Sequence, residues 1–312
     1  MNIASLMKVF LKKTIRQYGY ELRKTKTYTV DSVPITELDG LTFRDFLECY
    51  FSALNRPDFF FVQVGAHNGI SNFYDVLRDY VIRFNLRGLL VEPQARVFPE
   101  LQENYKEQSG LNFENAAVGH NDGCQQLYTI KKNLDFLAYA NQAASFHLGH
   151  LRKILEKHLR HEAAQDVVQR VKELGLSVDD CIEAETVQTY TFESLLNKHG
   201  VRSIDLLQID TEGFDYEVIK MADLRKFMPT LINYEHEHLS DGDQLGCWRD
   251  LRALGYRLFT HGSDICAYQA DWSWPNQPSK IAFQVARWNT RFTKHTSSGI
   301  DGSGNPAQAG QN

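Results

Sequence analysis

An apolar run dense in aromatic and β-branched residues, Phe59-Phe60-Phe61-Val62-Gln63-Val64, stops at Gly65, and a second glycine follows at Gly69. A run of this kind predicts a strand buried on both faces, the kind found in parallel sheets covered by helices on either side. The glycines predict a tight turn in which backbone approaches something closely, ahead of a helix with free N–H groups at its start. In open parallel sheets such a turn lies at the carboxyl edge, where nucleotide-like ligands bind.

The same rhythm recurs along the chain. Residues 72–84 carry a helical stripe (Val76, Leu77, Tyr80, Val81, Phe84), and Gly88-Leu89-Leu90-Val91-Glu92 is a second strand that ends in an acid. A helix over 98–105 and a strand over 111–118 follow, with 125–130 as a further strand. Beyond 187 the alternation returns: a Thr191-capped helix, strand 203–210 ending at Asp210, helix 216–221, strand 230–235 ending at Glu235, and helix 247–254. Residues 256–260 and 265–268 read as a terminal antiparallel hairpin. The fold class is therefore α/β: a doubly wound, mostly parallel sheet. Glu92, Asp210 and Glu235 fall at strand carboxyl ends, where such sheets bind their ligands.

The core domain is expected over 58–285, interrupted over 131–185 by a helical insertion or lid. A leucine stripe (Leu148, Leu151, Leu155, Leu159) marks one inserted helix and 163–174 a second. His147, His150, His158 and His161 run beside the leucines, and a solvated helix face outweighs metal binding as their role. Ser145, just before that helix, is a candidate acceptor contact, and Trp272 and Trp274 either stack on a sugar or pack against the domain's end. Residues 31–57 form a helical lead into the first strand, and 297–312, rich in Ser, Gly, Pro, Asn and Gln, are expected to be disordered. Residues 1–30 hold seven basic residues against Glu21, with apolar residues at helical spacing. Such a basic amphipathic helix either packs on its own domain or lies, through 1–26, on an anionic membrane surface, placing the protein in the cytoplasm with peripheral contact at the inner face of a membrane. A net charge of −5 argues against general nucleic-acid binding. Five scattered cysteines without a C-x-x-C pair favour a reducing compartment.

A glycine turn with an acid ending the next strand suits a ligand whose ribose hydroxyls need a bidentate acceptor. Dinucleotides also need a G-x-G-x-x-G spacing, whereas this chain has Gly65-x-x-x-Gly69, which disfavours an NAD-dependent oxidoreductase and favours a ligand without pyrophosphate. The ordered motifs Val62-Gln63-Val64-Gly65-Ala66-His67-Asn68-Gly69, Val91-Glu92-Pro93, Asn115-Ala116-Ala117-Val118-Gly119, Ile209-Asp210-Thr211-Glu212-Gly213-Phe214-Asp215 and Tyr234-Glu235-His236 resemble the FkbM family of S-adenosylmethionine (SAM)-dependent methyltransferases. The resemblance implies a Rossmann-like class I methyltransferase that binds SAM and O-methylates a sugar, glycolipid or related metabolite.

It implies that Gly65 and Gly69 line the methionine part of SAM, that Ala66 and Asn68 also touch the cofactor, that Glu92 holds the ribose, and that Asn115 and Ala116 lie at the adenine. Gln63 stands where many members of that family have aspartate, and offers hydrogen bonds but no charge to the SAM ammonium. A sugar hydroxyl has a high pKa and needs a base. His236 or His238 is the expected base, oriented by Asp210 and Glu235; a period of two places both histidines opposite Glu235 and Glu237. Asp210, Glu212 and Glu235 are a candidate Mg²⁺ set. A packed, hydrogen-bonded cluster is the plain alternative for these residues, and a SAM-fold module that binds a partner or membrane without catalysis is the alternative for the protein.

Overall fold

The computed structural model describes residues 58–70, 76–137, 143–160 and 165–269, together with 28–30, 33–35 and the helical positions Phe43, Arg44, Leu47 and Phe51. The amphipathic helix expected over 1–30, apart from 28–30, and also His161, Trp272, Trp274 and the tail 297–312, lie outside the described residues. Two short strands, β1 (Tyr28–Val30) and β2 (Val33–Ile35), pair antiparallel.

Seven strands form the main sheet: β3 (Phe60–Val64), β4 (Arg87–Val91), β5 (Leu111–Glu114), β10 (Leu206–Ile209), β11 (Leu231–Glu235), β12 (Tyr256–His261) and β13 (Asp264–Gln269). Their spatial order is β5-β4-β3-β10-β11-β13-β12. The first five pair in parallel, and β13 runs antiparallel between β11 and β12. The strand order reverses between β3 and β10, so the switch point lies where β3 ends at Val64 and β10 at Ile209.

The apolar runs are strands buried on both faces because alternate side chains enter different cores. Val62, Val64, Leu89, Val91, Leu207, Ile209 and Ile232 join one cluster with α5 (Phe192–Lys198), α6 (Asp215–Met221) and α8 (Asp241–Ala253). Phe61, Leu90, Leu206 and Leu231 join the other, with α1 (Leu77–Phe84) and Leu101 of α2 (Phe98–Asn104). Phe43, Leu47 and Phe51, four residues apart, seal this second side, as the spacing of the leading helix predicts. A short α7 (Leu224–Phe227) precedes β11. No described helix is long and apolar enough to cross a membrane.

The interruption is broader than 131–185 and is not helical alone. It holds α3 (Leu148–Leu159) and α4 (Gln165–Glu173), but also a separate sheet of β6 (Ala117–Val118), β7 (Gly123–Ile130), β8 (Ala144–Ser145) and β9 (Ile182–Tyr190) in the order β6-β9-β7-β8. The expected strand 111–118 divides between the two sheets. Leu151 and Leu155 of the leucine stripe pack with Ile130, Val171, Cys181 and Ile182 into a core of the insertion's own.

Candidate active site

At the switch point the backbone itself builds the site. Gly65 has φ +81°, and a Cβ on it would sit 1.7 Å from the carbonyl oxygen of Asp210. Its N–H and that of Ala66 donate to the carbonyl of Val91, at 2.9 and 3.0 Å. The glycine turn is thereby pinned to the end of β4 on one side and of β10 on the other. One residue beyond β4, the Glu92 carboxylate accepts from the backbone N–H of His67 and of Gln94, both at 2.8 Å. Burial pushes its carboxyl up to about 7, although those two donors favour the charged form. Each oxygen accepts from one backbone N–H, and a hydrogen bond from the Gln94 side chain favours the charged form as well.

The other expected cofactor residues divide. Asn68 is held in the turn, its Oδ1 accepting from the Ile70 N–H at 3.0 Å and its carbonyl accepting from Asn104 Nδ2 at 2.8 Å. Gln63 is buried in β3, in register with Gln208 of β10. Asn115 and Ala116, expected at the adenine, lie against the turn after β4. The Asn115 amide donates to the carbonyls of Glu92 and Pro93, at 2.8 and 3.2 Å, and Ala116 is 0% exposed. That segment clamps the turn after β4 as the chain leaves one sheet for the other.

Across the switch point, the loop from Asp210 into α6 is organised by Asp215, which is 0% exposed. Its Oδ2 accepts from Thr211 Oγ1 at 2.9 Å and from the Gly213 N–H at 3.3 Å, and its Oδ1 accepts from the Glu235 N–H at 3.3 Å. One buried carboxylate therefore fixes the loop after β10 to the end of β11. Glu212, with φ +51°, is aimed by this loop at Glu235 and His238. Ligand atoms of these three all lie within 4.8 Å of one another. His238 Nε2 is 3.2 Å from Glu212 Oε2 and 3.7 Å from Glu235 Oε1.

Two expectations are corrected here. A period of two fails because β11 ends at Glu235 and the chain turns, bringing His238 to the same side as Glu235. His236 instead is buried beside Trp248 of α8, ring centroids 6.5 Å apart. Of the two expected bases, only His238 joins the carboxylates. Asp210 is exposed, and although its carboxylate is near enough to raise Glu235, the ligand atoms that converge within 4.8 Å are those of Glu212, Glu235 and His238 rather than of Asp210, Glu212 and Glu235.

Burial sets the electrostatics. It lowers His238 to about 4, helped by nearby His150, so this imidazole is neutral at physiological pH. Burial and then the Asp210, Glu212 and Asp215 carboxylates drive Glu235 far above the ordinary carboxyl range. Burial with Asp215 and Glu237 raises Glu212 to about 7. The close His238–Glu212 contact is thus not an ion pair between two fully charged groups.

The insertion reaches this centre through α3. A Cβ on Gly213 would meet the His150 ring at 2.9 Å, and that ring stands edge-on to His238 with centroids 5.6 Å apart. Lys157 pairs with Glu237 at 2.6 Å, and Phe146 packs edge-on against Phe214 at 5.4 Å. The histidine stripe is therefore not uniformly a solvated face, because His150 points into the site. Ser145 is 7% exposed, and its Oγ accepts from the His147 N–H at 3.2 Å. Asp215 and His150 were not singled out as site residues by sequence. Asp215 carried a signal, an acid opening a helix five residues after a strand-ending acid; His150 had only its place in the stripe.

A parallel sheet with this strand order, one antiparallel strand next to its last and a ribose-type acid beside a glycine turn, defines a methyltransferase fold. The FkbM methyltransferase domain matches residues 63–258, well over half of the chain, and the chain belongs to that family. Among solved structures it resembles the human methyltransferase 10 domain containing protein at 9% identity and TM-score 0.34, covering 87% of this chain and 100% of that one. The N-terminal domain of human METTL16 in complex with SAH matches at 11% identity and TM-score 0.36, covering 84% and 81%. A SAM-dependent methyltransferase from Agrobacterium tumefaciens matches at 7% identity and TM-score 0.30, covering 80% and 71%. No curated protein matches the sequence.

Proposed function

We propose that this methyltransferase takes its methyl group from SAM and transfers it to a hydroxyl of a sugar, glycolipid or related metabolite. The observation that carries the reading is the contact between two half-sites: the Gly65 turn touches Asp210, and two residues further on Glu212 meets Glu235 and His238. Support for the cofactor comes from the Glu92 carboxylate, which the N–H groups of His67 and Gln94 hold beside the glycine turn at the switch point, as an acceptor for ribose hydroxyls. SAM supplies a methyl group on a sulfonium, whose S–C bond breaks as the acceptor oxygen forms its bond to carbon, leaving a neutral thioether.

The chain's own work is to position and to move a proton. The hydroxyl proton leaves to the Glu212–Glu235–His238 group, which contains a neutral imidazole able to accept either a proton or a metal ion. Asp215 holds the loop that carries Glu212, and His150 covers it from the insertion. Calorimetry with SAM and NAD, followed by transfer of labelled methyl to sugars and lipid-linked glycans, tests the proposal. SAM binding that Glu92→Ala weakens at least tenfold, with label on a hydroxyl oxygen, is the expected result. Binding of NAD but not SAM, or label found only on nitrogen, would overturn it.

A further inference from the structure

The group Glu212, Glu235 and His238 comes from three separate places: the loop after β10, the last residue of β11 and the turn beyond it. Folding has brought two carboxylates and an imidazole together with their ligand atoms within 4.8 Å. As side chains they are only 16 to 22% exposed. Two carboxyls drawn together and desolvated cost the fold free energy unless something compensates. What the described residues offer is incomplete. Glu235 Oε2 has no solvent exposure and no hydrogen-bond partner among them, and the same is true of Nε2 of His150, on the ring that faces Gly213 and His238 from α3. Glu235 belongs to the group itself, and His150 meets it from another element through its ring against His238.

We infer that Glu212, Glu235 and His238 bind a divalent cation of the first transition row. This deepens the methyltransferase reading and rests on it only for what the ion would do. The donor chemistry selects the ion: three carboxylates would suit Mg²⁺, whereas replacing one with imidazole shifts preference towards Mn²⁺, Fe²⁺ or Zn²⁺. Three protein ligands leave coordination positions open, as in catalytic rather than structural sites. The group lies at the carboxyl ends of β10 and β11, so the acceptor class this site would favour is a hydroxyl with a second oxygen near enough to share the ion, such as a vicinal diol. His150 is a positioning residue in this arrangement, closing the side of the site next to α3.

The test uses the full chain freed of metal by EDTA and dialysis. Mn²⁺ is titrated and followed by the loss of its free-ion electron paramagnetic resonance signal, with Mg²⁺ as competitor and SAM binding measured separately by calorimetry. One Mn²⁺ per chain is expected, at least tenfold tighter than Mg²⁺ and weakened at least tenfold in both Glu235→Gln and His238→Ala. Glu103→Gln, which alters an exposed pair with Lys106 at the end of α2, should bind as the parent does. Glu235→Gln keeps side-chain shape and removes a crowded carboxyl, so unfolding is not its expected effect; circular dichroism checks this. No Mn²⁺ binding, or binding that both variants leave unchanged, overturns the inference even if SAM binds. Mn²⁺ binding without SAM binding leaves the cation site standing and removes the proposed cofactor.

Discussion

Replacing Gly65 with alanine puts a methyl group where the Asp210 carbonyl oxygen already is. The ideal Cβ lies 1.7 Å from that oxygen and 2.8 Å from its carbon, against the 3.0 Å below which real Cβ contacts essentially never fall. The obstacle is backbone, so no side-chain rotation relieves it; β3 and β10 must move apart by more than an ångström at their carboxyl ends. That movement breaks the Asp210 N–H to Val64 carbonyl bond, now 3.0 Å, at about 1 kcal/mol. A left-handed φ adds roughly 1–2 kcal/mol for any residue with a Cβ, and overpacking a well-filled centre about 1–3 kcal/mol more. The expected loss is therefore about 3–6 kcal/mol, a large share of the roughly 5–15 kcal/mol that stabilises an ordinary domain. Gly175→Ala is the control: its φ is +64°, but nothing lies within 4 Å of the added Cβ, so only the conformational part applies. Urea denaturation followed by circular dichroism should separate the two variants by at least 2 kcal/mol, and Gly65→Ala should also lose SAM binding. Equal losses in the two variants would refute the close approach as the reason for glycine at 65.

Three further outcomes follow from the same geometry. Because burial raises the folded pKa of Glu92 from 4.5 to about 7, the stability tied to this group is fully present below 4.5 and is lost as pH rises through 7. On the order of 3 kcal/mol is involved; the stability difference between Glu92→Gln and the parent should shift by that order between pH 4.5 and 8, and a pH-independent difference would contradict the assignment. Asp215→Asn must turn an NH2 group towards a backbone N–H on one side or the other, for a loss of about 2 kcal/mol in urea denaturation. Methyl transfer should fall more than SAM affinity does, and an unchanged transfer rate would remove Asp215 as the anchor of the loop. Thr191 and Ser240 each accept a hydrogen bond from the N–H three residues on, at 3.1 and 3.2 Å, so Thr191→Ala and Ser240→Ala should each lose about 1 kcal/mol by the same denaturation assay. A loss below about 0.3 kcal/mol would mean that the cap has no role.

The sheet was legible because each central strand is a short run of apolar residues closed by a glycine, proline or acid. Burial on both faces leaves few polar positions in these runs (Gln63, Gln208 and Asn233 are the interior exceptions), so β3, β4, β10 and β11 fall where the runs are. The insertion's sheet was harder to read. β7 has exposed residues from Gly123 to Gln126, and its pairing with β9 joins segments about 60 residues apart, a relation that no local pattern records. The start of α8 at Asp241, six residues before the expected one, had a readable sign in Ser240 followed by Asp243, whose carboxylate accepts from the Ser240 hydroxyl at 2.7 Å.

By itself the sequence determined the strand-and-helix order, the glycine turn and the acid just after β4, because each depends on local spacing and on the backbone freedom of single residues. It also named Glu212, Glu235 and His238 among the reactive groups. Only the tertiary structure decided which of those groups meet. That choice depends on where the chain turns after β11, on a buried Asp215 tying two loops together, and on a helix inserted from a second sheet. Each of these joins residues distant in sequence, and their energy lies in packing and desolvation that exist only once the chain has folded.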